Sequence, residues 1–491
     1  MAPTISYVST EEALAGADAL VFLGSSSRLG LDDVRAFLPS DVAAHWDGML
    51  GSVAAGDKGG STRTWSGSDL RQVVAAVLPD KASRHNSPGR PDAVPGLVAD
   101  SLGGGVSVAA ILIAVADPAH CFAAGLGVAR AFPLFDGKSK KKTEDDPKPE
   151  LAEVRVAFVG DGGDAPLERL RAGADGIRLA ARLVDEPTSV LHTAAFLAEA
   201  EAVASEVGAD IEVIAASELE ARGFGGLWGV GKAAVHGPAL VVLKHEPAGA
   251  SETVAWVGKG IVYDTGGLSI KSSGGMPGMK ADMGGAAAVL GAFAAAARLG
   301  ATVRIHALLC LAENSVGPES VRPDDIITLY SGKTVEVNNT DAEGRLVLGD
   351  GVAYASKHLD ASVIVDLATL TGAQLVSTGR RHAAIVCNDD DLEARAIAAG
   401  KRCGDLVHPL PFVPEFYRRE FASKVADLKN SVKDRMNAQS SCAAQFVYEH
   451  IETDWDGAWL HVDLAGPATN GDDRGTGYGV GLLLELFDIG A

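Results

Sequence analysis

The sequence predicts an α/β protein of two domains: a smaller N-terminal α/β domain, and a larger C-terminal domain with a mixed sheet covered by helices on both faces. Apolar, β-branched segments alternate with helix-like segments along the chain, which is typical of a sheet covered by helices. The 491 residues also exceed what one ordinary core accommodates. A helix-like stretch at about 167–183 precedes a more regular alternation, so we place the domains at 1–165 and 166–491.

The N-terminal part contains three apolar segments that predict strands, at Ala19–Gly24, Val106–Ala116 and Val154–Val159. Three further segments predict short helices, at Glu11–Gly16, Leu31–Leu38 and Leu70–Ala76. Between them lies the segment 138–150, KSKKKTEDDPKPE, which has a basic block, an acidic block and no apolar residue. Such composition favours a solvated loop, with a targeting or docking segment as the alternative.

The C-terminal part has a more regular pattern of strands and helices. The predicted strands are Ile211–Ile214, Ala239–Leu243, Val254–Val257, Val303–Leu311, Thr334–Val337 and Val363–Leu367. The predicted helices include Thr193–Val207, Gly284–Leu299 and Leu346–His358. The glycine-rich stretch Ala221–Gly231 predicts a turn-rich connection.

Composition excludes several classes of function. A formal net charge of −21 argues against general nucleic-acid binding, which needs a basic face. No apolar run reaches the roughly 18 residues of a membrane helix, and the first residues do not predict a secretory signal. The five cysteines are widely spaced, so we expect neither a disulfide framework nor a zinc–cysteine cluster. A reducing, cytoplasmic compartment fits best.

Charged residues are concentrated where apolar or glycine-rich sequence surrounds them. The segments WVGKGIVYDTGGLSIK and MKADMGGA contain Lys259, Asp264, Lys271 and Asp282. Burial of ionised groups without partners is very costly, so these groups either pair with one another or are organised by a cation. For Lys259 a plain ion pair is the alternative to a metal ligand, because a lysine ligates only as a neutral amine. For Asp282 the alternative is helix capping.

A second cluster follows in NNTDAEGR, which contains Asp341, Glu343 and Arg345. A DxE pair alone is common in acidic proteins, but carboxylates beside an arginine indicate a bridged pair of metal ions with a bound anion. Oxygen-rich ligation suits Zn, Mn, Mg or Co, and a lysine ligand favours the transition metals. We find no HExxH motif and no GxSxG motif.

In their order and spacing, these two segments together with DLATLTGA and HVDLAGPA resemble the leucyl (cytosol) aminopeptidase family of dinuclear metallopeptidases. The resemblance covers roughly Asp185 to the C-terminus, and details such as SRHNSP and AENSVGP resemble an animal branch of that family. It implies that 166–491 is the catalytic domain. It also implies one metal held by Lys259, Asp264, Asp282 and Glu343, and a second held by Asp264, Asp341 and Glu343.

The resemblance further assigns catalytic and substrate-binding residues. It implies that Lys271 polarises the scissile carbonyl and that Arg345 holds a bicarbonate acting as general base. The positions that it matches to substrate binding are Met279, Thr369, Leu370, Gly372, Ala465 and Ala468. Ala468 stands where a larger residue is common in the family, which leaves the preference for the N-terminal residue open.

The implied function is a metallo-aminopeptidase that releases the N-terminal residue of peptides, with a Leu-like preference. Its implied cofactors are two divalent metal ions per subunit and bicarbonate, and its implied assembly is a cytoplasmic homohexamer, a dimer of trimers. We expect no nucleic-acid and no membrane partner. Two alternatives remain open: another dimetal hydrolase such as a phosphoesterase, and a catalytically weak or moonlighting hexameric binding protein.

Overall fold

The computed structural model describes residues 2–67, 71–139, 150–163 and 165–490. Most of the charged segment 138–150 therefore lies outside the described residues. The chain forms two compact units, one running up to Arg178 and including Ala399–Leu406, the other comprising Leu179–Ala398 and Val407–Gly490. The division falls inside a long helix, and the sequence-based boundary at 165/166 stays a prediction.

The first unit is built around a six-stranded sheet within its described residues, in the order β1-β6-β5-β2-β4-β3. Its strands are β1 (Thr4–Tyr7), β2 (Ala19–Gly24), β3 (Gly60–Ser66), β4 (Arg71–Val77), β5 (Val108–Ala114) and β6 (Glu153–Phe158). Its helices are α1 (Thr10–Leu14), α2 (Ser26–Leu29), α3 (Asp32–Arg35), α4 (Ser40–Ala43), α5 (Trp46–Gly51), α6 (Val94–Ser101) and α7 (Cys121–Ala129), with short 3₁₀ turns at Pro118–His120 and Gly160–Gly162. The pairings are parallel except between β3 and β4.

The predicted helix at Leu70–Ala76 is wrong. The structure places Arg71–Val77 in β4, which pairs in parallel with β2 and antiparallel with β3. A strand covered on both faces reads as a continuous apolar run, which periodicity alone does not distinguish from a buried helical turn.

The second unit contains an eight-stranded mixed sheet in the order β15-β14-β17-β13-β9-β10-β8-β7 and a three-stranded sheet, β11-β12-β16, among its described residues. The strands are β7 (Asp210–Ala215), β8 (Ala239–His245), β9 (Thr253–Asp264), β10 (Arg304–Asn314), β11 (Ile326–Thr328), β12 (Thr334–Glu336), β13 (Val363–Ala368), β14 (Ala383–Cys387), β15 (Val407–Pro409), β16 (Leu428–Lys429) and β17 (Ala458–Asp463).

Helices follow or precede most of these strands. They are α8 (Leu167–Asp185), α9 (Thr193–Val207), α10 (Ala216–Leu219), α11 (Gly225–Gly231), α12 (Gly284–Arg298), α13 (Gly344–His358), α14 (Gly372–Ser377), α15 (Asp390–Cys403), α16 (Pro414–Tyr417), α17 (Gln439–Tyr448) and α18 (Val480–Leu486), with 3₁₀ turns at Met279–Ala281 and Arg418–Phe421. The division between the units falls inside α8 and again inside α15. The strands and helices predicted for this part are found within a few residues of their predicted ends, except that β9 continues to Asp264.

Four neighbouring strands at the centre of the large sheet, β17, β13, β9 and β10, run parallel. Their carboxyl ends therefore meet at one edge, which is where open α/β sheets bind ligands. Asp264, Asn314, Ala368 and Asp463 are the last residues of these strands. This edge brings the charged segments of the sequence together.

The turn-rich connection predicted at Ala221–Gly231 is wrong for its second half, which forms α11. Its glycines serve close packing: a Cβ on Gly225 would lie 2.1 Å from the Thr328 carbonyl oxygen, and one on Gly226 would lie 2.2 Å from that of Leu346. Neither glycine has a positive φ. The glycines here allow close contact between two backbone segments. The sequence alone does not distinguish this use of glycine from its use in a turn.

The helix α12 packs on the large sheet through a glycine, which makes a stability prediction. A Cβ on Gly285 would lie 2.0 Å from the Leu367 carbonyl oxygen, and backbone of a central strand cannot move aside. We expect Gly285→Ala to lower the free energy of unfolding by about 3 kcal/mol, the upper range for overpacking. Chemical denaturation measures this change.

A matched control exists in α6, where a Cβ on Gly96 meets no atom of the described residues within 4 Å. Gly96→Ala is expected to leave stability unchanged or raise it by about 0.5–1 kcal/mol, because glycine disfavours helix. Equal effects of the two substitutions would contradict the close packing of α12.

The five cysteines are buried, and among the described residues none of them forms a disulfide bond. Within the residues that the structure covers, no helix combines the length and apolar character required to cross a membrane.

Candidate metal centre and active site

Lys259 is the most enclosed charged residue of the site. It lies inside β9 rather than after it, and only 2% of its surface is exposed. Its Nζ is 2.6 Å from Asp282 Oδ1 and 3.2 Å from Glu343 Oε1, and it donates to the Thr369 carbonyl at 2.8 Å. A Cβ on Gly344 would lie 2.5 Å from the Lys259 Cε. The glycine after Glu343 therefore makes room for the lysine.

Asp264 lies at the end of β9 and is held from both oxygens. Its Oδ2 is 2.6 Å from the Nζ of Lys271, which also pairs with Asp341. Its Oδ1 accepts from the Gly266 N–H and from Asn314 Nδ2, both at 2.8 Å. Asn314 was missed by sequence reasoning; its only signal is a polar side chain at the end of the apolar run of β10.

Three of the predicted ligands converge on one point. Asp264, Asp341 and Glu343 each offer a carboxylate oxygen, and these oxygens lie within 4.8 Å of one another. Asp282 reaches the same cluster through Lys259. Asp282 Oδ2 and Glu343 Oε2 are buried without a hydrogen-bond partner among the residues described. Buried carboxylate oxygens without partners are rare, and they fit bound cations.

Burying like charges together is costly, and the pKa values of three carboxyl groups in the cluster are raised for this reason. Burial raises the pKa of Asp282 well above its usual value, and Glu343 and Asp264 add to this effect while Lys259 opposes it. Burial also raises the pKa values of Glu343 and Asp341. A divalent cation removes this cost by favouring the ionised carboxylates.

The carboxylates of the cluster raise the pKa values of both lysines, against the effect of burial. At Lys259 burial favours the neutral amine, but Asp282, Glu343 and Asp264 outweigh it and hold this pKa above its usual range. At Lys271 burial acts in the same way and is outweighed first by Asp264. Without metal, both lysines are ammonium groups paired with the carboxylates, so the ion-pair interpretation of Lys259 describes this state.

The helix-capping interpretation of Asp282 is wrong. Helix α12 begins at Gly284, and its N-cap, Met283, makes no side-chain capping bond. The Asp282 carboxylate instead accepts from Lys259 and from Thr369 Oγ1, the latter at 2.9 Å.

Arg345 lies in the first turn of α13, which starts two residues before the predicted Leu346. Its side chain is buried, and its Nε and Nη1 have no partner among the described residues. Burial lowers the pKa of Arg345 to about 10, with Glu343, Cys442 and Asp463 opposing. A buried guanidinium with unpartnered donors fits a bound anion.

The predicted substrate residues lie on three segments at the same sheet edge. Met279 begins the 3₁₀ turn ahead of Asp282; the others follow β13 (Thr369, Leu370, Gly372) or β17 (Ala465, Ala468). A Cβ on Gly284 would meet Thr369 Cγ2 at 3.2 Å and Ala468 Cβ at 3.3 Å. Thr369 and Ala468 therefore lie on one small-residue surface, beside the Asp282 carboxylate.

Thr340 also supports the site, through its side-chain hydroxyl. Its Oγ1 accepts from the Ser269 N–H and donates to the Gly266 carbonyl, both at 2.7 Å. This hydroxyl ties the loop that carries Lys271 to the loop that carries Asp341. Its signal in the sequence is its place directly before the DxE pair.

Two profiles of known protein families match the chain. The profile described as the cytosol aminopeptidase family, catalytic domain, matches residues 178–484, and the profile of M17 aminopeptidase N-terminal domain 2 matches residues 52–141. The chain belongs to the cytosol (leucyl) aminopeptidase family. The family, the mixed α/β fold and the enzyme class predicted from sequence, a leucyl aminopeptidase-type hydrolase, are thereby confirmed.

Individual relatives support the same assignment. The chain is 53% identical over 422 residues to the probable aminopeptidase NPEPL1 of Homo sapiens, covering 85% of this chain and 80% of the relative. This agrees with the predicted animal branch. The structure of Caenorhabditis elegans leucine aminopeptidase (LAP1) aligns with a TM-score of 0.90 at 37% identity, covering 99% of this chain and 98% of the other. The bottromycin maturation enzyme BotP in complex with Mn aligns with a TM-score of 0.78 at 28% identity, covering 96% and 99%.

Proposed function

We propose that this aminopeptidase-family chain hydrolyses the N-terminal residue of peptides, with a Leu-like preference, at a dinuclear metal centre. The observation that carries the proposal is the pair of buried oxygens on Asp282 and Glu343 that have no partner among the described residues, together with the ammonium group of Lys271 and the donors of Arg345 that likewise have none there. We further propose a cytoplasmic homohexamer, a dimer of trimers, which size-exclusion chromatography with light scattering tests.

Two ligand sets are proposed. Lys259, Asp264, Asp282 and Glu343 hold one divalent ion, and Asp264, Asp341 and Glu343 hold the other. The donor set of carboxylates and one amine suits Zn, Mn, Mg or Co, and the relative BotP is known in complex with Mn. When bound, such ions polarise a carbonyl and lower the pKa of a water molecule.

The residues of the chain supply the remaining functions. Lys271, which is partly exposed and held by two carboxylates, donates to the carbonyl oxygen of the scissile bond and stabilises the negative charge that develops there. The backbone of Leu370 and its neighbours contacts the substrate beside the metal centre. Thr369 and Ala468 line the pocket for the N-terminal side chain, and the small Ala468 favours a large apolar residue.

The test is hydrolysis of a leucine anilide and of a Leu-containing dipeptide after loading with Mn²⁺ or Zn²⁺. A phosphate ester and a DNA-binding assay run in parallel and address the alternatives. Glu343→Gln is the matched control for metal dependence. The substitution nearly keeps the shape of a residue that belongs to both ligand sets, but it removes the negative charge. Phosphate-ester turnover without peptide turnover, or peptide turnover that Glu343→Gln retains, would contradict the proposal.

Arg345 is proposed to hold a bicarbonate that acts as general base. We expect Arg345→Ala to lower turnover about 10²-fold or more, because general bases contribute about 10²–10⁴-fold. Metal content should be unchanged because Arg345 belongs to neither ligand set. In bicarbonate-free buffer, adding bicarbonate should raise the wild-type rate but not the rate of the variant. Equal responses of the two proteins would remove bicarbonate from the mechanism.

A further inference from the structure

A buried carboxylate joins two turns at the edge of the sheet. Asp463, the last residue of β17, is 1% exposed. Its Oδ1 accepts from the N–H groups of Leu370 at 3.0 Å and of Thr371 and Ala465 at 3.3 Å. Its Oδ2 accepts from Thr371 Oγ1 at 2.6 Å. One carboxylate thus binds both the turn after β13 and the turn after β17.

A second buried side chain joins the same two turns. Gln374 is fully buried, and its Oε1 accepts from the Gly466 N–H at 2.6 Å. Its backbone N–H donates to Thr371 Oγ1 at 3.0 Å, and this hydroxyl lies 2.8 Å from Ser440 Oγ. Asp463, Thr371 and Gln374 therefore form one continuous polar network, which we name the clamp.

The clamp fixes the backbone on which the proposed substrate residues lie. The first turn carries Thr369, Leu370 and Gly372, and the second carries Ala465 and Ala468. The first turn is also bound to the metal centre, because the Thr369 carbonyl accepts from Lys259 at 2.8 Å. Because the proposed substrate residues lie on both turns, we expect a change in the spacing of the turns to alter the width of the pocket between them.

We propose that the clamp residues Asp463, Thr371 and Gln374 are positioning residues that determine which N-terminal side chain the pocket accepts. This inference rests on the proposed aminopeptidase function. None of the three is assigned to contact substrate or metal; they act through the backbone of Leu370 and Ala465. A buried carboxylate suits this role because it accepts four hydrogen bonds, which holds two backbone segments in one geometry.

Nearly isosteric substitutions separate the clamp from bulk packing. Asp463→Asn keeps the shape but removes the negative charge and replaces one acceptor oxygen with a donor, so Thr371 Oγ1 can no longer donate to residue 463 at that position and has to accept from it instead. Thr371→Val removes the hydroxyl, whereas Thr371→Ser retains it. If Asp463→Asn fails to fold, the two Thr371 variants still decide the question.

The matched control is Asp366→Asn. Asp366 is likewise a fully buried carboxylate, on the adjacent strand β13. It accepts from Trp459 Nε1 at 2.8 Å and from His461 Nδ1 at 2.5 Å, and neither partner lies in the two turns. Its replacement perturbs the same layer of the fold and removes no hydrogen bond of the clamp, although its partner His461 also interacts electrostatically with Asp463.

The experiment measures kcat and KM for leucine, alanine and phenylalanine anilides, with metal content and the thermal unfolding midpoint, in the full-length metal-loaded enzyme. We expect Asp463→Asn and Thr371→Val to change the Leu:Ala ratio of kcat/KM at least about fivefold, mainly through KM, since one methylene in an apolar pocket is worth about tenfold or more. Thr371→Ser should restore the wild-type ratio. Asp366→Asn should lower the thermal midpoint and keep the ratio.

Unchanged ratios in both clamp variants would overturn the inference, as would an equal shift in Asp366→Asn. A wild-type enzyme that hydrolyses no anilide would instead refute the proposed function, so the two failures are distinguishable.

Discussion

Replacing Lys271 with alanine is expected to lower turnover about 10²- to 10³-fold, the effect of removing one positioned donor to a developing oxyanion, or about 2.7–4 kcal/mol of barrier. The Nζ of Lys271 lies at the carboxylate cluster, 2.6 Å from Asp264 Oδ2, where a carbonyl bound at the centre would receive its hydrogen bond. Because Lys271 belongs to neither proposed ligand set, the variant should keep its metal. Steady-state kinetics combined with metal analysis measures both quantities.

Lys280→Ala is the control for this experiment. Lys280 is likewise partly buried, but its Nζ donates to the carbonyl of Asp185 and not to the carboxylate cluster. Its removal should leave turnover within about threefold of wild type, a change of less than about 1 kcal/mol in the barrier, because its Nζ is directed to the Asp185 carbonyl. Near-normal turnover in Lys271→Ala would exclude Lys271 from the mechanism. Loss of metal in that variant would reassign Lys271 to maintenance of the centre.

The sequence predicted most of the second unit because its elements follow local rules. Thr193–Val207 forms α9 with the predicted ends, and Gly208, with a positive φ, ends it as a left-handed C-terminal cap. The charged segments could be recognised as a site for a similar reason, since ionised residues beside buried strands need partners. The structure places these residues together at the carboxyl edge of four parallel strands.

Features that depend on contacts distant in sequence were not predicted. The run Arg71–Val77 is a strand because β2 and β3 pair with it on either side. Asn314 lies fifty residues after Asp264 in the chain but opposite it on the neighbouring strand, where its side chain donates a hydrogen bond to the Asp264 carboxylate. The raised pKa of Lys259 results from three carboxylates brought in by separate segments, which reverses the effect expected from burial alone. Residue type indicates which groups take part, but the three-dimensional arrangement of the charges decides whether a pKa is raised or lowered.

Replacing Lys259 with alanine is expected to remove one tightly bound metal ion. Its proposed site has four protein ligands, including the Lys259 amine, whereas the other site has three carboxylates and leaves room for substrate. Loss of an outer-shell partner costs about 10–100-fold in metal affinity, so loss of a direct ligand should cost at least about 100-fold. After dialysis, the variant should hold about one metal ion fewer per subunit than the wild type.

Asp341→Asn provides the opposite contrast, because Asp341 belongs only to the second proposed site. This variant should keep the tightly bound ion through dialysis and lose the exchangeable one. Lower pH should weaken the tight site in the wild type, because the carboxylates hold the pKa of Lys259 above its usual range and a ligating amine must lose its proton. Lys259→Ala should lack this additional pH dependence. If the two variants lose the same ion, or if Lys259→Ala retains both, the amine is not a ligand and Lys259 acts only as an ion-pair partner of Asp282 and Glu343.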